Sequence, residues 1–93
     1  MNKHGEYKVP GGKLVVADVA VEAGKLARVR ISGDFFLEPP DALASIDHAL
    51  TGQPADATET ELALAVATGL PREAELFGFS PEAVAVAVRR ALA

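Results

Sequence analysis

Residues 14–33 of the chain are LVVADVAVEAGKLARVRISG, two runs of alternating apolar and polar residues on either side of a Glu-Ala-Gly-Lys turn. An alternation with a period of two, rich in Val and Ile, is typical of half-buried β-strands. The pattern therefore predicts an antiparallel hairpin with strands at 14–22 and 25–33.

The register of this hairpin follows from burial. A two-residue loop would pair Val21 with Leu26 and place Arg28 and Arg30 on the valine face. A one-residue shift of register moves every side chain to the opposite face, so burial decides between the two loops. We therefore predict a three-residue loop, with Gly24 left-handed in a bulge, that pairs Val21 with Lys25. The same register places Asp18 opposite Arg28 on the polar face.

The flanks of the hairpin complete a sheet half at 6–37. Residues 6–9 form a candidate third strand ahead of a Pro-Gly-Gly turn, and residues 35–37 are a candidate short edge strand. Residues 1–5 are predicted to be a flexible tail.

Residues 39–93 have helical periodicity, and three start signals divide them into three helices. Pro39-Pro40-Asp41 begins the first, because proline is tolerated and an acid is favoured in the first turn. Thr58 and Glu61 have the spacing of a capping box at the second. Ser80, followed by Pro81, begins the third.

Strands followed by helices predict an α+β fold, with an antiparallel sheet of about three strands followed by three helices packed on one face. We predict one domain over residues 1–93, and residues 72–79 are predicted to be a connector with at most one helical turn.

Composition excludes several classes of function. The chain of 93 residues has no cysteine, so disulfides, thiolate zinc sites, iron–sulfur scaffolds and thiol nucleophiles are excluded. A net charge of −4 argues against nucleic acid as the main partner. We find no signal peptide and no apolar run near the ~20 residues of a membrane span, and predict a cytoplasmic protein with no membrane partner.

The charge is unevenly distributed. Residues 1–33 carry six basic and three acidic side chains, whereas residues 34–93 carry three basic and ten acidic ones. Such asymmetry indicates either a contact face or the ordinary acidity of helix surfaces.

Groups able to perform catalysis are few. Asp41, Ser45 and His48 share helical spacing, so they form either a small active site or a solvated polar face, and His48→Ala would separate the two. Gly11-Gly12-Lys13 lacks the spacing and the hydroxyl of a phosphate-binding loop. The two histidines have no metal-site spacing. We therefore predict no catalytic residue and no metal site.

Two phenylalanines follow the second strand. Either Phe35 and Phe36 both fill the core, or one of them remains exposed for a partner. The later Phe77-Gly78-Phe79 segment repeats the theme and is predicted to belong to the core.

Three motifs carry a family likeness: KVPGGKL at 8–14, EAGK at 22–25 and VRISGDFF at 29–36. Together with LFGF at 76–79, they resemble the C-terminal accessory domain of lipoate–protein ligases, over nearly the whole chain from about Gly5 onward. In some members of that family this domain is a separate polypeptide, and the present chain resembles that arrangement.

The resemblance implies a role in a two-chain enzyme. The family activates lipoate with ATP to lipoyl-adenylate and transfers the acyl group to a lysine of carrier proteins. ATP, Mg and lipoate would be bound by a larger catalytic subunit, and none of them by this chain itself. The chain would be the non-catalytic accessory subunit of a heterodimer, with lipoyl-acceptor carrier proteins as further partners.

Two turns are the candidate partner-binding residues: Pro10, Gly11, Gly12, Lys13, Asp34, Phe35 and Phe36. The hairpin register predicts that they are neighbours at one end of the sheet. Lys13 is either a docking residue or a cation that approaches the adenylate phosphate. The alternative function is a stand-alone α+β protein- or ligand-binding module without catalytic activity.

Overall fold

The computed structural model describes residues 2–93, which form a three-stranded antiparallel sheet, a two-stranded ribbon and three helices. The elements are β1 (Asn2–Lys8), β2 (Leu14–Glu22), β3 (Lys25–Gly33), β4 (Phe36–Glu38), α1 (Ala42–Leu50), α2 (Glu59–Gly69), β5 (Glu75–Phe77) and α3 (Pro81–Leu92). The predicted α+β fold is confirmed.

The main sheet has the order β1-β2-β3, and its core-facing side is covered by helices. The odd-numbered residues Val15, Ala17 and Val19 of β2 are buried, as the alternation predicts. Helix α3 packs across β1 and β2, α1 packs against β3, and α2 joins the two other helices. The three helices have 9, 11 and 12 residues, so none of them is long enough to span a membrane.

The prediction of a flexible tail at residues 1–5 is wrong for residues 2–5, which belong to a strand. Strand β1 begins at Asn2, where it pairs with Ala20 of β2, and it continues to the pair Lys8–Leu14. Met1 lies outside the described residues. The strand begins earlier than predicted, and residues 2–5 have no apolar alternation that would signal it. Their pairing with β2 and the packing of β1 against α3 hold them in the sheet.

The predicted three-residue loop is also wrong. Glu22 pairs with Lys25 around a two-residue turn, in which Ala23 has φ +52° and Gly24 has φ +77°. Two positive φ angles are the signature of a type I′ turn, whose twist matches that of the flanking strands.

The extra residue lies further along β3. The register changes between the pairs Val21–Leu26 and Ala20–Arg28, which leaves Ala27 without a partner in β2. This bulge returns Val29 and Ile31 to the apolar face and leaves Arg28 and Arg30 exposed. Burial therefore requires an extra residue, as predicted, but the strand supplies it and the turn does not.

Two of the three local helix signals are confirmed as predicted, those of α2 and α3. Helix α1 instead begins at Ala42, after Pro39-Pro40-Asp41, and it has no acid in its first turn and no side-chain hydrogen bond from Asp41 at its N-cap. Thr58 accepts a hydrogen bond from the backbone N–H of Glu61 at 3.1 Å, and the Glu61 carboxylate accepts one from Thr58 N–H at 2.9 Å. The hydroxyl of Ser80 accepts a hydrogen bond from Ala83 N–H at 3.1 Å, which caps α3. Each of these contacts joins residues three apart, so the sequence spacing suffices to predict it.

The connector at 72–79 contains a strand and no helical turn. Strand β5 pairs antiparallel with β4, in the register Phe36–Phe77, Leu37–Leu76 and Glu38–Glu75. The predicted edge strand at 35–37 therefore exists in shifted form, but it belongs to this separate ribbon.

A histidine ties β1 to β2 on the open face of the main sheet. The Nδ1 atom of His4 lies 2.7 Å from Oδ1 of Asp18, and its Nε2 atom lies 2.8 Å from Oε2 of Glu6. Asp18, predicted to face Arg28, instead lies opposite His4 on one side and Arg30 on the other. Hydrogen bonds to Asp18 and then Glu6 raise the pKa of His4.

This contact predicts a pH dependence of stability. Because the pKa of His4 is raised on folding, its contribution is complete below the unfolded value of about 6.5 and is lost as the pH rises through the folded pKa. We expect the difference in melting temperature between the wild type and His4→Gln to shrink from about pH 5.5 to about pH 8.5. Circular dichroism melts at both pH values measure it, and a difference that stays constant with pH contradicts the assignment.

Candidate functional site

Three chain segments meet at one end of the main sheet, and we call them the turn cluster: residues 10–13, 34–36 and 77–79. Leu14 N–H donates a hydrogen bond to Oδ1 of Asp34 at 2.8 Å. Lys13 N–H donates one to the carbonyl of Gly78 at 2.9 Å. The first contact confirms the predicted closeness of the two turns, and the second adds a segment that the sequence did not assign to the site.

The turn between β1 and β2 is held by its own hydrogen bonds. Gly12 N–H donates to the carbonyl of Val9 at 2.8 Å, and Val9 N–H donates to the carbonyl of Lys13 at 3.1 Å. The ammonium of Lys8 donates to the carbonyls of Gly12 at 2.6 Å and Val9 at 3.2 Å. Lys8 is thus a structural residue of the turn, and Lys13 makes no side-chain hydrogen bond or salt bridge within residues 2–93.

Gly78 permits the close approach of the third segment. It has φ +86°, and a Cβ at this position would collide with the aliphatic stem of Lys13. The stem of Lys13 therefore lies directly against the backbone of Gly78. A side chain at residue 78 would both strain the backbone and displace Lys13.

The four phenylalanines of the cluster form two pairs with different environments. The rings of Phe35 and Phe79 are stacked, with centroids 3.9 Å apart and an angle of 24°, and Phe79 is only 8% exposed. Phe36 and Phe77 meet edge to face, with centroids 6.3 Å apart and an angle of 62°. Phe36 is 67% exposed and Phe77 is 47% exposed.

The segments 34–36 and 77–79 therefore each place one ring against the core and one ring outside. Of the two alternatives for Phe35 and Phe36, the structure supports the one that leaves a ring exposed. The prediction that Phe77 belongs to the core is wrong, whereas that for Phe79 is confirmed. Strand alternation turns Phe77, the last residue of β5, away from the face that Leu76 covers. The positive φ of Gly78, +86°, then ends the alternation, so Phe79 lies inside although it is only two residues further on.

The candidate catalytic set on α1 is not assembled. No hydrogen bond joins the side chains of Asp41, Ser45 and His48 within the described part of the chain. The neighbouring Asp47 instead accepts a hydrogen bond from Ile31 N–H of the edge strand β3 at 2.9 Å. Burial raises the pKa of Asp47, and the hydrogen bond from Ile31 opposes that rise. Asp47 is therefore a structural residue that joins α1 to β3.

Comparisons with known proteins give one informative result. No family model matches the sequence, and no curated protein does. The chain is similar to one in a solved structure of an archaeal lipoylation system, a bi-partite lipoate protein ligase and its E2 lipoyl domain from Thermoplasma acidophilum. The TM-score is 0.68 at 20% identity, over 96% of this chain and 93% of that chain. The resemblance inferred from the motifs is thus confirmed at the level of the fold.

Proposed function

We propose that this chain is the accessory subunit of a two-chain lipoate–protein ligase. It binds the catalytic subunit and supports the ATP-dependent activation of lipoate to lipoyl-adenylate. The observation that carries the proposal is the fold match along nearly the full length of both chains to a protein from a bi-partite ligase system. ATP, Mg and lipoate belong to the catalytic subunit, which also transfers the lipoyl group to a carrier such as a lipoyl domain.

The chemistry of the turn cluster supports a role in binding. Its charged side chains are Lys13 and Asp34, and the Asp34 carboxylate is already engaged by Leu14 N–H. Around them lie Pro10, Gly11, Gly12 and the exposed ring of Phe36. Exposed aromatic side chains are enriched in protein interfaces.

The rigidity of the cluster suits docking without rearrangement. Hydrogen bonds from Leu14 N–H to the Asp34 carboxylate and from Lys13 N–H to the Gly78 carbonyl connect its segments, so little conformational entropy is lost when a partner covers it. We assign Lys13 to docking, because its stem packs on Gly78 within the turn cluster. The accessory subunit then acts by binding the closed, adenylation-competent state of the catalytic subunit more tightly than the open state.

The test is a mixing experiment. The catalytic subunit of the same organism is assayed for lipoate-dependent release of pyrophosphate, alone and with this chain at saturating concentration. We expect little activity from either chain alone and a gain of about tenfold or more in the mixture, since a shift in conformational population of that size requires only about 1.4 kcal/mol of preferential binding.

Equal activation of lipoate with and without this chain contradicts the proposal. Binding to an unrelated protein or a small molecule, with no effect on adenylation, favours the stand-alone binding module instead.

A further inference from the structure

The ribbon of β4 and β5 presents a distinct outer surface, which we call the ribbon face. The register and the alternation of the two strands place four side chains on it: Phe36, Glu38, Glu75 and Phe77. The leucines at the centres of the two strands point the other way, toward the core. The ribbon face is therefore an aromatic pair beside a pair of carboxylates.

The two carboxylates are directly opposite each other. Glu38 and Glu75 are a cross-strand pair, and like charges in that position destabilise a sheet. Neither glutamate makes a salt bridge or a side-chain hydrogen bond to any residue of the described range 2–93. The isolated chain thus retains a repulsion that none of these residues neutralises.

The aromatic pair next to the carboxylates is also incompletely covered. Phe36 and Phe77 contact each other edge to face, yet two thirds of Phe36 and nearly half of Phe77 remain exposed. Aromatic faces attract the aliphatic stem and the charged group of arginine and lysine. Carboxylates bind the same groups through charge-assisted hydrogen bonds. Both halves of the ribbon face therefore favour the same kind of ligand.

We infer that the ribbon face binds a basic side chain of the catalytic subunit, with its stem on the phenylalanines and its charge between Glu38 and Glu75. The inference rests on the proposed function and adds to it the chemistry of the contact. The repulsion between the carboxylates is relieved in the complex, so the interface uses a feature that destabilises the free chain. A substitution that removes this repulsion should therefore raise the stability of the free chain and lower its affinity for the catalytic subunit.

The experiment is a single charge reversal, Glu75→Lys. In the isolated chain the substituted side chain faces Glu38, so we expect the melting temperature to rise by about 1–4 °C. In the complex it repels the basic group of the partner, so we expect the Kd for the catalytic subunit to increase about tenfold or more. Glu73→Lys is the matched control, since it makes the same change of net charge outside the paired strands and should alter both values much less.

The outcomes separate the two proposals. If the wild type binds and activates the catalytic subunit, and Glu75→Lys binds as tightly as Glu73→Lys, the inference is overturned and the proposed function stands. If the wild type does not bind the catalytic subunit, the proposed function fails and the inference fails with it. If sedimentation shows that Glu75→Lys instead breaks an association between copies of this chain, a second copy occupies the surface, and the inference is likewise overturned.

Discussion

The Gly5→Val variant is expected to lose most of its stability, with the free energy of unfolding reduced by about 3 kcal/mol or more. Gly5 is buried in β1, where the strand lies against α3. A Cβ at this position would collide with the backbone of Ala87 and Ala91, and would lie 2.8 Å from Cα of Ala91. These are backbone atoms of the C-terminal half of α3, so the clash is relieved only if this part of the helix moves away from the sheet.

The magnitude follows from what α3 covers. Its buried side chains form much of the core over β1 and β2, so displacement of the helix exposes that core to water. A domain of this size has a total stability near the lower end of about 5–15 kcal/mol. A loss of about 3 kcal/mol therefore populates the unfolded state at moderate temperature.

Urea unfolding followed by circular dichroism measures the effect. Asn2→Val is the matched control, because it places the same side chain in the same strand at an exposed position and should leave the urea midpoint nearly unchanged. A Gly5→Val midpoint equal to that of the wild type would show that β1 does not pack on α3 as described.

Gly5 also marks the limit of what the sequence can predict. The first four residues of β1 are NKHG, which contain no β-branched or aromatic residue, so neither β-propensity nor an apolar alternation signals that the strand begins before residue 6. Their structure comes from pairing with β2 and from the helix above them. By contrast, the hairpin strands and the caps at Thr58 and Ser80 depend on neighbouring residues, and the sequence predicts them correctly.

The hairpin and the turn cluster could be predicted only in part, because burial and local patterns do not fix every pairing between strands. Burial shows that β3 needs one extra residue but does not show where, and the structure places it at Ala27 and not in the turn. The closeness of Leu14 and Asp34 was predictable, because the strands on both sides are unambiguous. The third segment of the cluster was not, since β5 has three residues and exists only through its pairing with β4.

The second large effect concerns two phenylalanines that are two residues apart. We expect Phe79→Ala to lower the free energy of unfolding by about 3 kcal/mol, as for other buried aromatic truncations. Phe79 is buried and stacks on Phe35, so its removal leaves a cavity below the turn cluster. Phe77→Ala should cost less than about 1 kcal/mol, because the ring of Phe77 is already half in water.

The same two variants should show the reverse order in binding. Under conditions where both remain folded, Phe77→Ala removes a side chain of the ribbon face and should weaken binding to the catalytic subunit about tenfold or more. Phe79→Leu refills most of the cavity without the aromatic stack, so it should recover much of the stability lost in Phe79→Ala. Thermal unfolding and titration calorimetry measure the two quantities separately.

Equal losses of stability in Phe77→Ala and Phe79→Ala would contradict the division of the segment into an inner and an outer ring. That division is what allows one short strand to serve the fold and the interface together. Gly78 separates the two rings, and its contact with the stem of Lys13 fixes the segment against the β1–β2 turn. The ring that stabilises the fold thereby determines the position of the ring that is free to bind.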